Sequence, residues 1–423
     1  MDESATTLDS VVSMNQYYTP KRYSQGRRNF GDCAVDDIAP RRRPYTPYDN
    51  RFKNKCSRNL VWNRPRMDNT TIKPPALGTR GCNKNAAYGP RSWGSTKECV
   101  CKFWKFGNCN KGEQCRFLHS WCCFPGMSMV ADLVGHKKEL KGIALPQGSD
   151  KLFSASIDGT LCIWDCNTGQ CVHTINLQAE ACSLISEGPW VFLGLPNAVK
   201  AFNVQTSQDL HLNGVVGQVH AMTIANGMLF AGTSSGSISV WKANDNTESD
   251  PFTYLGSLEG HHSGQVTCFI VGGQRLYSGS VDKTIKVWDL NTLQCTMTLR
   301  QHTDTITSLL CWDQFLLSSS LDGTIRVWAC SDENGSLKVT NTWRQEERVH
   351  ALSGMHDAEG KPIMFCSYQN GTVSIFDLPS FEERGKMFST NTIGTITIGP
   401  DGLLFSGDKS GKLRIWSLAA TKV

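Results

Sequence analysis

Residues 276–289 read Leu-Tyr-Ser-Gly-Ser-Val-Asp-Lys-Thr-Ile-Lys-Val-Trp-Asp, and this stretch decides the fold. Two apolar-rich runs, 276–280 and 285–288, flank four residues of a kind typical of tight turns, which predicts a β-hairpin. The second run has an apolar-x-apolar-aromatic pattern that ends at Trp288 and is followed by Asp289. Such a hairpin buries only one face, so it needs neighbouring units to form a stable core.

The pattern recurs seven times between residues 126 and 423, with successive terminal aromatics 38 to 48 residues apart. The seven runs are Leu161–Trp164, Val199–Phe202, Ile238–Trp241, Ile285–Trp288, Ile325–Trp328, Val373–Phe376 and Leu413–Trp416. A period near 40 with a Gly-His opening and a Trp-Asp ending is typical of WD40 units. We therefore predict an all-β fold, a seven-bladed β-propeller over residues 126–423. The predicted repeats cover about 136–166, 172–204, 219–243, 260–290, 301–330, 350–378 and 391–418.

The seventh blade needs an outer strand that the sequence after Trp416 is too short to supply, because only seven residues follow it. Residues 127–134 lie directly before Gly135-His136, where an outer strand would run. We expect them to complete the seventh blade and to join the two ends of the propeller.

A polar set recurs within three of the units. Its members are His136, Ser154, Asp158 and Trp164; His261, Ser278, Asp282 and Trp288; and His302, Ser318, Asp322 and Trp328. Ser, His and Asp together also suggest a catalytic triad. Their recurrence beside a Trp at nearly fixed spacing favours a structural reading instead, because satisfied buried networks rigidify a fold. Units two, three, six and seven depart from this set, with Asn370 in place of the Asp in the sixth and Ser410 in the seventh, so we expect those four blades to be held less firmly.

Residues 98–122 differ in kind from the repeats. Cys101, Cys109, Cys115 and His119 follow the spacing C-x7-C-x5-C-x3-H. Three thiolates and one imidazole complete a tetrahedral zinc shell without an open position, which predicts one structural Zn²⁺. Cys99 is an alternative first ligand, at C-x9-C. Because His119 is the first histidine of the chain, the upstream Cys33, Cys56 and Cys82 cannot form a second such site by themselves.

This segment resembles the CCCH zinc-finger family, whose glycine positions it also matches at Gly107 and Gly112. The resemblance implies binding of single-stranded RNA, with Phe117 as a base-stacking residue. Lys111 stands where that family has a second aromatic, which weakens the case for sequence-specific reading. The predicted nucleic-acid contacts are Phe117, Trp104, Phe106, Lys102, Lys105, Lys111 and Arg116. Phe103 is expected to pack around the metal site.

The charge of the chain is divided unevenly. Residues 1–125 contain 22 Lys+Arg and 10 Asp+Glu, whereas the remaining residues contain 21 and 28. Residues 1–97 are rich in Arg, Pro and Tyr and lack regular periodicity, so we expect a disordered basic arm that attracts a polyanion. No secretory signal or membrane span is apparent, and the 18 cysteines are expected to be reduced apart from metal ligation.

The order of finger and propeller is similar to that of plant CCCH-finger/WD40-repeat proteins, and runs such as 113–121, 185–190 and 309–317 carry the likeness. We expect a non-enzymatic nucleic-acid-binding adaptor, in which the finger and arm bind RNA and the propeller recruits proteins. A DNA-binding transcriptional regulator and a pure protein-interaction scaffold are the alternatives. The expected location is the nucleus, with the cytoplasm also open. A phosphate-loop-like run at 407–413 lies in a strand–strand turn, whereas a P-loop must open a helix.

Overall fold

A computed structural model describes residues 100–244, 251–331, 335–357 and 359–418. The basic arm expected over residues 1–97 lies outside the described residues, as do Cys33, Cys56, Cys82 and Cys99. The described helices are short: α1 spans Lys102–Lys105, and single 3₁₀ turns span Gly112–Gln114 and Pro400–Gly402. Within the described ranges no helix is long and apolar enough to cross a membrane.

Strands account for nearly all the remaining regular structure. In the first half of the chain they are β1 (Met127–Val134), β2 (Leu140–Ala144), β3 (Lys151–Ser156), β4 (Thr160–Asp165), β5 (Cys171–Asn176), β6 (Ser183–Glu187), β7 (Trp190–Leu195), β8 (Ala198–Asn203), β9 (Asp209–Leu212), β10 (Val219–Ala225), β11 (Met228–Thr233), β12 (Ile238–Ala243) and β13 (Phe252–Ser257). In the second half they are β14 (Val266–Gly272), β15 (Arg275–Ser280), β16 (Ile285–Asp289), β17 (Cys295–Leu299), β18 (Ile306–Trp312), β19 (Phe315–Ser320), β20 (Thr324–Cys330), β21 (Leu337–Arg344), β22 (Val349–His356), β23 (Pro362–Tyr368), β24 (Thr372–Asp377), β25 (Glu383–Phe388), β26 (Ile393–Ile398), β27 (Leu403–Asp408) and β28 (Lys412–Leu418).

The strands form seven four-stranded antiparallel sheets, which confirms the predicted seven-bladed propeller. Blades 1 to 6 each take four consecutive strands, beginning with β2–β5 and ending with β22–β25. Blade 7 combines β26, β27 and β28 with β1, which pairs antiparallel to β28 from Met127 opposite Leu418 to Val134 opposite Lys412. The innermost strands contact one another in a ring that closes from β26 to β2. Both ends of the propeller segment therefore lie in one sheet.

The hydrophobic core is divided into clusters between neighbouring blades. Between blades 3 and 4, for example, Phe230 and Val240 pack with Val266, Leu276 and Trp288, and all five are at least nine-tenths buried. This arrangement follows from the alternation along each strand, which sends side chains to both faces of a blade. Each blade therefore depends on both neighbours, and burial of one such side chain contributes roughly 1.5–3 kcal/mol.

Each blade that carries the full His, Ser, Asp and Trp set contains a buried hydrogen-bond network. In blade 5 the Nδ1 of His302 lies 2.9 Å from the carboxylate of Asp322, and its Nε2 lies 2.8 Å from Ser318 Oγ. The indole N–H of Trp328 donates to the same Oγ at 2.9 Å. Since a carboxylate only accepts, the proton sits on Nδ1 and the serine hydroxyl donates to Nε2. Blade 1 repeats this network, with Ser154 between His136 and Trp164 at 2.8 Å each, while Asp158 lies 3.5 Å from the imidazole.

In blade 4 the structure corrects the histidine assignment. His262, not the predicted His261, contacts Asp282 at 2.9 Å and Ser278 at 2.8 Å, and Trp288 donates to Ser278 at 2.9 Å. His262 is buried, whereas His261 is exposed. The physical reason is reach: the imidazole must span from the blade's Asp to its Ser, and only the second histidine of the Gly-His-His run does so.

Blade 7 keeps part of this network with different residues. Trp416 donates to Ser406 Oγ at 2.9 Å, but the carboxylate comes from Asp408, two positions before Ser410. Asp408 accepts from the hydroxyl of Ser389 at 2.8 Å, and Arg414 donates to the same serine oxygen at 3.1 Å. A buried arginine has therefore entered this blade in place of the histidine pattern.

Candidate metal centre and its contact with the propeller

The four predicted ligands come together in the finger. Cys101 directly precedes α1, Cys109 follows it, and Cys115 comes directly after the 3₁₀ turn Gly112–Gln114. Gly107 and Gly112 have positive φ values of 74° and 49°, which side chains other than glycine rarely adopt, so the chain can fold back on itself at both points. The backbone N–H of Cys101 donates to the carbonyl of Leu118 at 2.9 Å, which brings the first and last ligands to one side.

The donor atoms fit a zinc ion. The three Sγ atoms and the His119 ring nitrogen lie within 4.8 Å of one another. Zn–S bonds of about 2.3 Å place tetrahedral thiolates about 3.8 Å apart, which this cluster accommodates. Nε2 of His119 is buried and lacks a hydrogen-bond partner among the described residues, and a metal ligand bond satisfies such an atom. With all four positions filled by protein, zinc here holds the finger together and offers no site for substrate.

The first thiol is held in a form suited to metal binding. Desolvation opposes its ionisation, but the backbone N–H of Trp104 and the side chains of His119 and Cys109 lower the pKa of Cys101 to about 6. Because the thiolate is the ligand species, this environment favours zinc at neutral pH.

An aromatic stack connects the metal site to the chain beyond it. The ring of Trp104 is stacked on His119, with centroids 5.8 Å apart and planes 12° apart. Trp104 also contacts Trp121 at 4.9 Å. The indole of Trp104 is half-buried in these two contacts, and its predicted contact with nucleic acid stays a prediction.

A short segment, residues 121–124, attaches the finger to the outer edge of blade 6. Phe388 N–H donates to the Trp121 carbonyl and Cys123 N–H donates to the Lys386 carbonyl, each at 2.8 Å. Phe124 is buried in the core cluster between blades 6 and 7. This linker segment therefore pairs with β25, and an outer strand edge that would otherwise be open is covered.

Arg414 of β28 reaches the stack from blade 7. Its guanidinium carbon lies 4.3 Å from the centroid of the Trp121 ring, and its Nε lies 3.6 Å from a carboxylate oxygen of Asp132 on β1. The side chain is 2% exposed. Burial, with the like charges of Arg414 and Lys102, lowers the pKa of Lys105. Sequence reasoning assigned no role to Trp121 or Arg414, since the two are far apart in the chain and Arg414 occupies the variable second position of its recurring run, Leu413–Trp416.

The remaining predicted contacts lie on the finger surface. Phe106 and Phe117 are 68% and 53% exposed, and Phe103, which was expected to pack around the metal, is 69% exposed. The correction for Phe103 follows from α1, which has no buried residue among its four. Lys102, Lys111 and Arg116 are exposed, and Lys105 is half-buried against the propeller.

Comparisons with known proteins agree with this architecture. The family description "WD domain, G-beta repeat" matches residues 127–165, 252–289 and 293–329. Zinc finger CCCH domain-containing protein 59 of Arabidopsis thaliana is 69% identical over 99% of this chain and 98% of its own length. Zinc finger CCCH domain-containing protein 62 of Arabidopsis thaliana is 71% identical over 96% of this chain and 99% of its own length. Zinc finger CCCH domain-containing protein 17 of Oryza sativa subsp. japonica is 47% identical over 82% of each chain.

A solved structure shows the likeness of fold alone. The computationally designed Ika8 protein matches with a TM-score of 0.53 and 22% identity, over 68% of this chain and 99% of that one. The sequence relatives carry the family assignment. The chain belongs to the plant family of zinc finger CCCH domain-containing proteins that carry a WD40 propeller.

Proposed function

We propose that the protein is a non-enzymatic adaptor whose finger binds single-stranded RNA and whose propeller recruits protein partners. Its family supports a nucleic-acid-binding or protein-interaction role. The observation that carries the RNA proposal is the exposure of Phe103, Phe106 and Phe117, each more than half accessible on one small zinc finger. Large aromatic side chains exposed together mark a binding surface.

The surroundings of these rings favour a nucleic-acid strand over an apolar protein groove. Lys102, Lys111 and Arg116 form no ion pair with any carboxylate in the described part of the chain, so their charges are available for phosphates. Unpaired bases stack on aromatic side chains for about 1–3 kcal/mol per base, whereas the bases of a duplex are already stacked on each other. This combination favours a single strand over duplex DNA.

We also propose that the protein is located in the nucleus, with a pool in the cytoplasm. Fluorescence imaging of the tagged chain tests this location.

Binding of the full chain to a labelled single-stranded RNA and to duplex DNA of the same sequence tests the proposal. We expect tighter RNA binding, about tenfold weaker RNA binding for Phe117→Ala, and unchanged binding for Leu255→Ala, an exposed apolar residue on blade 3. Equal affinity for the duplex would favour the transcriptional alternative. Absence of binding to either nucleic acid would favour the scaffold alternative.

A further inference from the structure

A cleft lies where the finger meets blade 6. It has a volume of about 510 Å³ and is lined on the finger side by Lys102 and Lys105. On the propeller side its lining includes the carboxylates of Glu346 and Glu347, from the loop between blades 5 and 6, and the ring of Phe376. Pockets of roughly 300–1,000 Å³ hold single small ligands, so this cleft has room for one nucleotide and not for a duplex.

We propose that this cleft binds one nucleotide of the RNA strand that the finger holds, with guanosine preferred. The inference rests on the proposed function, because the strand is delivered by the exposed rings of the finger. Phe103 belongs to the same short helix as Lys102 and Lys105, so a strand stacked there passes next to the cleft.

The finger side of the cleft suits a phosphate. Neither Lys102 nor Lys105 has an ion-pair partner among the described residues, and both lie close enough to interact with each other's charge. The guanidinium of Arg414 is a third positive charge, close enough to Lys105 to interact with it. Two lysines that lie close together without an ion-pair partner are stabilised by an anion, and a backbone phosphate supplies one.

The propeller side suits a base and opposes a second phosphate, because Lys386 on this wall is paired with Glu383 at 3.1 Å. Glu346 and Glu347 are exposed, and within the part of the chain that the structure describes neither side chain forms an ion pair. Carboxylates accept hydrogen bonds and repel anions. Guanine presents N1–H and N2–H donors on its Watson–Crick edge, whereas uracil presents one N–H between two carbonyls, so carboxylates at this wall favour guanine. The half-buried ring of Phe376 supplies an apolar surface for the base.

The test uses the full chain, two fluorescein-labelled RNA octamers and fluorescence anisotropy. One octamer is all uridine and the other carries a single central guanosine. The cleft variant is Glu346→Gln with Glu347→Gln. The matched control is Glu180→Gln with Glu259→Gln, exposed carboxylates that lie in the corresponding loops after blades 1 and 3 and change the net charge equally.

We expect the wild type and the control to bind the guanosine octamer about tenfold more tightly than oligouridine, since charge-assisted hydrogen bonds to a base edge give discrimination of that order. The cleft variant should lose this preference and bind oligouridine as well as before or slightly better, because two negative charges are gone. A preference that survives in the cleft variant, or is missing in the wild type, overturns the inference.

A separate measurement keeps this inference distinct from the proposed function. Phe117→Ala should weaken binding of both octamers and leave their ratio unchanged. If the wild type binds neither octamer, the proposed function fails, and a titration with guanosine 5′-monophosphate then decides the cleft alone. Saturable binding to wild type that the cleft variant lacks supports the site, and absence of binding to wild type overturns it.

Discussion

The guanidinium of Arg414 lies over the ring of Trp121, 4.3 Å from its centroid, although the two residues belong to opposite ends of the folded segment. Trp121 contacts Trp104, which stacks on the zinc ligand His119. The finger is thus fixed to the closing blade by side-chain contacts as well as by the linker segment, residues 121–124. Any surface that the finger presents therefore has a defined position relative to the propeller.

Replacing Arg414 by Met should destabilise the protein by about 2–3 kcal/mol, because a desolvated cation–π contact contributes about 2 kcal/mol and the bond to Ser389 is also lost. Urea unfolding followed by circular dichroism measures the change. In a double-mutant cycle with Trp121→Leu, we expect a coupling of about 1–2 kcal/mol.

Arg326 supplies the matched control for that cycle, since it precedes Val327 and Trp328 in β20 as Arg414 precedes Ile415 and Trp416 in β28. Arg326→Met and Trp121→Leu should be additive within about 0.5 kcal/mol. Additivity in the Arg414 cycle as well would show that the Trp121 contact contributes nothing.

Removing the metal should loosen the finger and leave the propeller folded. Cys109→Ser removes one zinc ligand, and a chelator removes the ion itself. A segment this small has no hydrophobic core of its own to hold it together without the metal. We expect rapid proteolysis between residues 100 and 124 and altered fluorescence from the Trp104–Trp121 pair, while far-ultraviolet circular dichroism of the strands is retained. Cys166→Ser, at an exposed cysteine outside the finger, should behave as wild type. Loss of the strand signal on chelation would contradict this view.

The repeat pattern was sufficient to predict the number of blades, because the period near 40 and the terminal aromatics are local consequences of one hairpin unit repeated. The zinc ligands were predictable for the same reason, since their spacing is short. The docking of the finger was not, because it depends on a contact between Arg414 and Trp121, which lie 293 positions apart in the sequence. Exposure of Phe103 also escaped prediction, since an apolar residue near a metal site packs or projects according to contacts that the sequence does not specify.

Sequence spacing does not distinguish His261 from His262 as the network histidine of blade 4. The Gly-His signature favoured His261, but His302 lies 16 residues before Ser318, and only His262 has the same separation from Ser278. His136 lies 18 residues before Ser154, so spacing alone did not decide the matter. The number of residues between the histidine and the serine differs from blade to blade. Burial of the imidazole in the structure shows which histidine belongs to the network.

His262→Ala should therefore destabilise the propeller by about 2–3 kcal/mol, because the half-buried carboxylate of Asp282 and the buried hydroxyl of Ser278 both lose the imidazole that bonds them. His261→Ala, at an exposed side chain, should change stability by less than about 0.5 kcal/mol. Urea unfolding of the two variants side by side makes the comparison. Similar losses for both would mean that the structural assignment of the network to His262 is wrong.

Acidification should destabilise the propeller in two pH ranges. Burial lowers the pKa of His136 and His302, so below about pH 6.5 the unfolded chain binds more protons than the folded one and stability falls as pH falls. Near pH 4 and below, protonation of the carboxylates destabilises the propeller further.

Burial raises the pKa of Asp322, but hydrogen bonds from Thr324, Thr303 and His302 outweigh it and lower the value to about 2. That contribution is complete above the unfolded pKa of about 3.9 and is lost as pH falls toward 2. Melting temperatures at pH 7.5, 6.5, 5.5 and 3.5 should decrease in that order, with His211→Ala, at an exposed histidine, following the same curve. A melting temperature that rises between pH 7.5 and 5.5 would contradict the role of the buried imidazoles.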